Sequence, residues 1–176
     1  FRVARGEAQD ADLVVSAGMA DVRLEAEAAG DPLGPNDLVG GELPRSLRPQ
    51  VSARGAHTLV RLATLWGLPT LGRGRWRATL AGDLPGHLAV SATTGDLDLD
   101  LTGLAPQAVD VGSTFGNVDL SLPTAGGADL DIRLTFGDLT IRVPDGLGVK
   151  VVLRAGALAD VARDERRFIQ LAPHEI

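Results

Sequence analysis

Gly95-Asp96-Leu97-Asp98-Leu99-Asp100-Leu101 alternates apolar and polar side chains over seven positions. The same figure returns at Gly116-Asn117-Val118-Asp119-Leu120-Ser121-Leu122 and at Gly137-Asp138-Leu139-Thr140-Ile141-Arg142-Val143, so its glycines stand 21 residues apart both times. Strict alternation is the mark of a strand with one buried face. The 21-residue step also runs through the residues ahead of each glycine. Leu88, Val109, Leu130 and Val151 fall in register, as do Val90, Val111, Ile132 and Leu153, and Phe115 and Phe136 each precede a glycine. Each repeat reads as strand, short turn, strand and a looser connection holding Pro106, Gly126-Gly127 or Pro144-Asp145-Gly146.

Two all-β architectures fit this pattern. Each turn can close an antiparallel hairpin, giving a meander or sandwich. Alternatively the chain winds as a β-solenoid with coils of about 21 residues, each stacked on the last. Winding explains why equivalent positions keep one residue type at a fixed period, which a meander does not. It predicts Gly95, Gly116 and Gly137 in one column as the fold-defining turns, and Phe115 over Phe136 in another. Glycine supplies positive φ at those turns, with the adjacent Asp or Asn expected to bond the local backbone. One coil cannot bury its inward leucines alone, so neighbouring coils stabilise one another.

The earlier part of the chain is less regular. Ala20 to Glu25, Val51 to Ala53, His57 to Leu62 and Trp76 to Leu80 read as further strands. Ala29 to Gln50, rich in Gly and Pro, reads as a long excursion from the wall. The expected organisation is a single domain over 1–176: an irregular part over 1–85, regular coils over 86–161, and a cap or lead-out strand over 162–176. That last piece carries Arg163-Asp164-Glu165-Arg166-Arg167.

Composition narrows the function. The chain has 176 residues, 22 Gly and 10 Pro, only 3% aromatic residues and 44% apolar ones, which suits many short aliphatic strands and excludes wholesale disorder. The net charge of −6 gives no basic footprint for nucleic acid. The absence of cysteine excludes disulfides and thiolate chemistry. The most apolar stretch, Leu59 to Leu71, is too short to span a bilayer and carries Arg61. A chain beginning at Phe1 rather than Met is expected to be trimmed or processed, so a leader or anchor can have been removed from either end.

The residues 80, 83–85 and 88–90 (Leu80, Asp83-Leu84-Pro85, Leu88-Ala89-Val90), with the glycine figures at 95, 116 and 137, resemble the toastrack domains. These close LiaF-type cell-wall-active antibiotic response proteins and related adhesin-like proteins. Val14-Val15-Ser16-Ala17-Gly18, Asp37-Leu38-Val39-Gly40-Gly41 and Pro49-Gln50-Val51 resemble the first part of the same domain, so the likeness covers most of 10–160. It implies a right-handed single-stranded β-helix at a bacterial cell envelope, contacting a membrane sensor kinase or another envelope component, with no catalytic residue and no cofactor. The chain departs from the family in lacking a membrane segment and in a rung motif that degrades after Leu158 to Ala159-Asp160-Val161.

Few residues offer chemistry. His57, His87 and His174 share no metal-ligand spacing and read as exposed histidines. Gly72-Arg73-Gly74-Arg75-Trp76-Arg77 reads either as a turn leading into a strand or as a small basic patch with an aromatic. The constellation that stands out is acidic: Asp98, Asp100 and Asp119 outward on the repeats, with Asp96 and Asp138 at the turns and Asp110 and Asp131 one column over. Stacked strands about 4.8 Å apart would place such carboxylates together. Calcium binding and paired-acid glycoside chemistry are the active readings, while solubility and protection of the wall are the passive one. The calcium-binding nonapeptide and an aromatic sugar platform are both missing. The reading is therefore a non-enzymatic envelope interaction or sensing module with Asp98, Asp100 and Asp119 as the candidate contact face. A scaffold or adhesin self-associating through its open ends is the alternative, and a polysaccharide-cleaving enzyme is the third.

Overall fold

A computed structural model describes residues 1–27, 33–34, 36–44, 47–64, 74–82, 86–125 and 127–149. By contact density the chain forms two units, Phe1–Asp145 and Gly146–Ile176. In the second, only 146–149 are described, so the expected cap over 162–176 and the register positions Val151 and Leu153 lie outside the described residues.

The described residues are all-β. They hold twelve strands: β1 (Arg2–Ala4), β2 (Asp10–Ala26), β3 (Asp37–Glu42), β4 (Gln50–Arg54), β5 (His57–Ala63), β6 (Gly74–Leu80), β7 (His87–Thr94), β8 (Leu97–Asp100), β9 (Ala108–Phe115), β10 (Val118–Ser121), β11 (Asp129–Phe136) and β12 (Leu139–Arg142). They join into one mixed sheet that does not close into a barrel. The sheet has two walls. In one, β4, β5, the first half of β2, β7, β9 and β11 lie side by side. In the other the order is β1, β3, β6, the second half of β2, β8, β10 and β12. Strand β2 is long because it runs through both walls.

Pairing is parallel from β5 and β6 through to β11 and β12. Leu97 stands beside Val118 and Val118 beside Leu139, and Val109 stands beside Leu130. Every one of these offsets is the 21-residue step. Hairpins at Gly95, Gly116 and Gly137 would pair their flanking strands antiparallel, so the meander is excluded. Antiparallel pairing occurs at the margins, where β1 meets β3, β3 meets β6, and β4 meets β5.

The inward side of each strand makes the core. Leu13, Val15, Leu88, Val90, Val109 and Val111 come from one wall, and Val22, Leu24, Leu97, Leu99, Val118 and Leu120 from the other. All are buried, with Leu99 and Leu120 at 0% exposure. Each contributes roughly 1.5–3 kcal/mol relative to exposure. The alternation persists in β11 and β12, but burial falls there: Leu130 is 37% and Leu139 36% exposed.

Two features escaped the sequence reading. Asp37–Glu42 is a strand, although it lies within a Gly- and Pro-rich stretch read as an excursion. Arg2–Ala4 forms another strand against it. Trp76, weighed as the aromatic of a basic patch, points inward and is 3% exposed, while Arg75 and Arg77 face outward; Arg73 lies outside the described residues.

Candidate functional site

The walls meet at a corner built from the repeat glycines. Gly95, Gly116 and Gly137 have φ of 133°, 143° and 135°, a region that side chains with a Cβ rarely enter. Space is the stricter reason for glycine. A Cβ on Gly116 would overlap the carbonyl oxygen of Gly95, one on Gly137 that of Gly116, and one on Gly95 that of Ala20. Ala20 holds the equivalent place in β2. The next residues form a ladder: Asp96 N–H donates to Asp21 Oδ1 at 3.2 Å, Asn117 N–H to Asp96 Oδ1 at 2.8 Å, and Asp138 N–H to Asn117 Oδ1 at 3.0 Å. The sequence suggested that these side chains bond their own turn. Each instead accepts from the neighbouring strand layer, because the corner directs it along the stack. Phe115 and Phe136 stack beside this corner, with centroids 5.2 Å apart and planes 5° from parallel.

The candidate carboxylates sit on the outer surface of the second wall. Asp98 and Asp119 are direct ladder neighbours, whereas Asp100 stands beside Ser121 one column over. None is a bare charge. Asp98 lies 3.4 Å from the Arg23 guanidinium, and Asp119 3.0 Å from that of Arg142. Asp100 accepts from the Thr102 hydroxyl at 2.6 Å and from its N–H at 3.1 Å. Arg23 also donates to Glu25 at 2.9 Å. That hydrogen bond, the charge of Glu25 and then the charge of Asp98 raise the Arg23 pKa above its usual value. Among the described residues, no group of three or more His, Asp or Glu is placed to hold a metal ion.

The other wall carries the histidines, and here the sequence reading missed partners. His57 Nδ1 lies 2.5 Å from Asp10 Oδ1, with Asp12 3.5 Å from its other ring nitrogen. His87 Nε2 lies 2.6 Å from Asp110 Oδ2, and Asp12 accepts the His87 N–H at 2.9 Å. Each imidazole thus ties one strand to the next. The signal was hidden because His57 and Asp10 are 47 residues apart and become neighbours only through the β2–β5 register. His174 lies outside the described residues. Where Ala89, Ser91 and Gly112 line up, this wall has a shallow depression of about 180 Å³, bordered by Val14, Asp110 and Arg133.

No family model and no curated protein matches the chain. Among solved structures, it is similar to "a putative cell adhesion protein" from Clostridium sporogenes, with a TM-score of 0.56. The likeness covers 82% of this chain and 97% of that one at 10% sequence identity. At that identity the likeness is one of fold.

Proposed function

We propose that the chain is a non-enzymatic contact module of a bacterial cell surface, adhesin-like in use, whose outer walls are its working surface. The observation that carries this reading is the fold likeness to the clostridial protein over nearly that protein's whole length. Two features support it. The inward side chains are spent on the core, so chemistry is confined to outward residues of rigid ladders. The carboxylates weighed as a paired acid site are engaged by Arg23, Arg142 and Thr102.

At a finer level we read the winding as a right-handed single-stranded β-helix of about 21 residues per coil, as the toastrack resemblance implies. The parallel 21-residue register supports it. A sensing role beside an envelope kinase, as in LiaF-type proteins, is the second reading, favoured by the glycine figures at 95, 116 and 137. The test is crosslinking of the purified chain on native bacterial envelopes, with mass spectrometry as readout. Adhesin-like use predicts recovery of a surface component, and the sensing role predicts a histidine kinase. Absence of any envelope crosslink contradicts both.

A further inference from the structure

Strand β4 is the margin of the first wall and pairs with β5 alone. Among the described residues no strand lies on its other side, and all five of its residues, Gln50–Arg54, are exposed. An open edge offers backbone N–H and C=O groups to any further strand, and folds blunt it with short strands, bulges or inward charges. The matching margin of the second wall is blunted in this way: β1 has three residues, and its register against β3 breaks between Val3 and Ala4. Strand β4 has none of these devices. Its register is unbroken from Gln50 beside Arg61 to Arg54 beside His57, Pro49 precedes it without interrupting it, and its inward residues are Val51 and Ala53. Its turn is also held, since Gln9 N–H donates to the Ala56 carbonyl at 2.7 Å.

The side chains define what fits there. Val51 continues the inward row of Val60, yet Val60 is 1% exposed and Val51 51%, so the apolar row runs past the last covered strand. On the outward side Gln50 stands beside Arg61, Ser52 beside Leu59, and Arg54 beside His57. Arg54 and Arg61 are exposed and have no ion pair among the described residues. His57 is held by Asp10 and Asp12, one strand further in on β2. In a chain of net charge −6, this margin is cationic. We propose that β4 is a docking edge for an extended acidic segment of a partner protein, which joins the first wall as an added strand. Register writes its pattern: acidic residues opposite Arg54 and Gln50, apolar residues opposite Ala53 and Val51, and a small polar residue opposite Ser52. The acid opposite Gln50 is two strand spacings, about 10 Å, from Arg61, a span that a glutamate and an arginine side chain close together. The pattern is the same in both directions, so parallel and antiparallel addition ask for one sequence.

Main-chain hydrogen bonds along the edge supply the attachment, and the alternating side chains choose the partner. The charged pairs are exposed, so each adds little and is screened by salt. The carboxylates of Asp10 and Asp12 stand three strand spacings, about 14 Å, from the added strand, beyond the Debye length of about 10 Å at 0.1 M salt. They also carry His57 between them, so they do not cancel the pull of the arginines. The expected complex is weak and exchanges quickly. This inference does not rest on the envelope reading, because the purified chain and a synthetic peptide decide it.

Amide NMR of the 176-residue chain, titrated with the capped peptide Thr-Glu-Val-Thr-Val-Glu-Thr to millimolar concentration at about 20 mM salt, tests it. Shifts should centre on residues 50–54 and the facing residues of β5. The same peptide with lysine for both glutamates should bind roughly tenfold more weakly, and Arg54→Glu together with Arg61→Glu should reverse that preference. Two further peptides, N-methylated on alternate residues, should differ by about tenfold or more, because one set of amides faces the edge and the other faces away. No shift at 50–54 with millimolar peptide overturns the inference, as does equal binding of the acidic and basic peptides or of the two methylated ones. Shifts at 50–54 that grow with the chain's own concentration, before peptide is added, would assign the edge to a second copy and overturn it too. Circular dichroism checks that the double variant folds, and the acidic-to-basic ratio on the unmutated chain decides the matter should it fail to.

Discussion

From β7 to β12 the chain lays each strand pair beside the one before it, in the order in which it is synthesised. From β1 to β6 it does not. Strand β2 enters the middle of the stack, β5 and β6 join on its far side, and β7 and β8 then return to its near side. Both regions use the same parallel register and the same inward aliphatic side chains. They differ at the corner: the later layers turn on glycine with positive φ, whereas β2 turns at Met19-Ala20 with no positive φ. A glycine is demanded where its neighbour's carbonyl lies against the Cβ position. Periodic sequence therefore records the tight stacking of successive layers, and does not record which layer neighbours which.

Substitution of the corner residues should break this comparison most sharply. Gly116→Ala sets a Cβ against the Gly95 carbonyl in a backbone region closed to alanine, and should cost about 3 kcal/mol or more in thermal or urea unfolding. Gly112→Ala, four residues earlier, meets only Ser91 Cβ at 3.8 Å and should change stability by less than about 1 kcal/mol. Equal losses at the two positions would show that the corner contact is not what selects glycine.

The next effect separates the enclosed layers from the last described one. Leu99→Ala empties a fully buried site and should cost about 2–5 kcal/mol. Leu130→Ala, at a site already 37% exposed, should cost about half as much or less. Matching losses in denaturant unfolding would mean that β11 is as enclosed as β8.

A smaller effect tests the ladder beside the corner. Asn117→Ala removes the acceptor for Asp138 N–H and should cost about 0.5–1.5 kcal/mol, while Asn117→Asp keeps an acceptor and should lose less. Indistinguishable melting of the two variants would take the ladder out of the stability account. At Ser113 the expected sign reverses. Its hydroxyl is buried with no partner among the described residues, at the place held by Ala92 in the preceding layer, so Ser113→Ala should leave stability unchanged or raise it by about 1 kcal/mol. A clear loss would reveal a hidden bond to that oxygen.

Much of this fold is legible in the residues themselves. The 21-residue step, the inward aliphatic positions, the glycine column and the Phe115–Phe136 stack all follow from spacing. What spacing conceals is anything assembled across unequal distances. Strand β3 was hidden because Asp37-Leu38-Val39-Gly40-Gly41 sits among turn-forming residues, and Gly41 is needed there because a Cβ would overlap the Arg77 backbone of β6. The histidine–aspartate ties and the Arg23–Asp98 pair join residues 47, 23 and 75 positions apart, at no common period. The acidic residues of the candidate face are visible in the sequence, but the arginines that pair with Asp98 and Asp119 are not. Arg23 becomes a neighbour of Asp98, and Arg77 of Arg23, only once β6 and β2 take their places in the stack.

The most direct measurement of that stack is short-range chemical crosslinking of paired cysteines, introduced into a chain that has none of its own. Parallel stacking makes Asp98 and Asp119 lateral neighbours and places Thr93 and Asp98 on opposite sides of the Gly95 corner. An Asp98→Cys, Asp119→Cys chain should then be bridged rapidly by a reagent spanning about 5 Å, and a Thr93→Cys, Asp98→Cys chain should not. Rapid bridging of the second pair and none of the first would mean that Gly95 closes a hairpin, and would contradict the parallel stack on which the whole account rests.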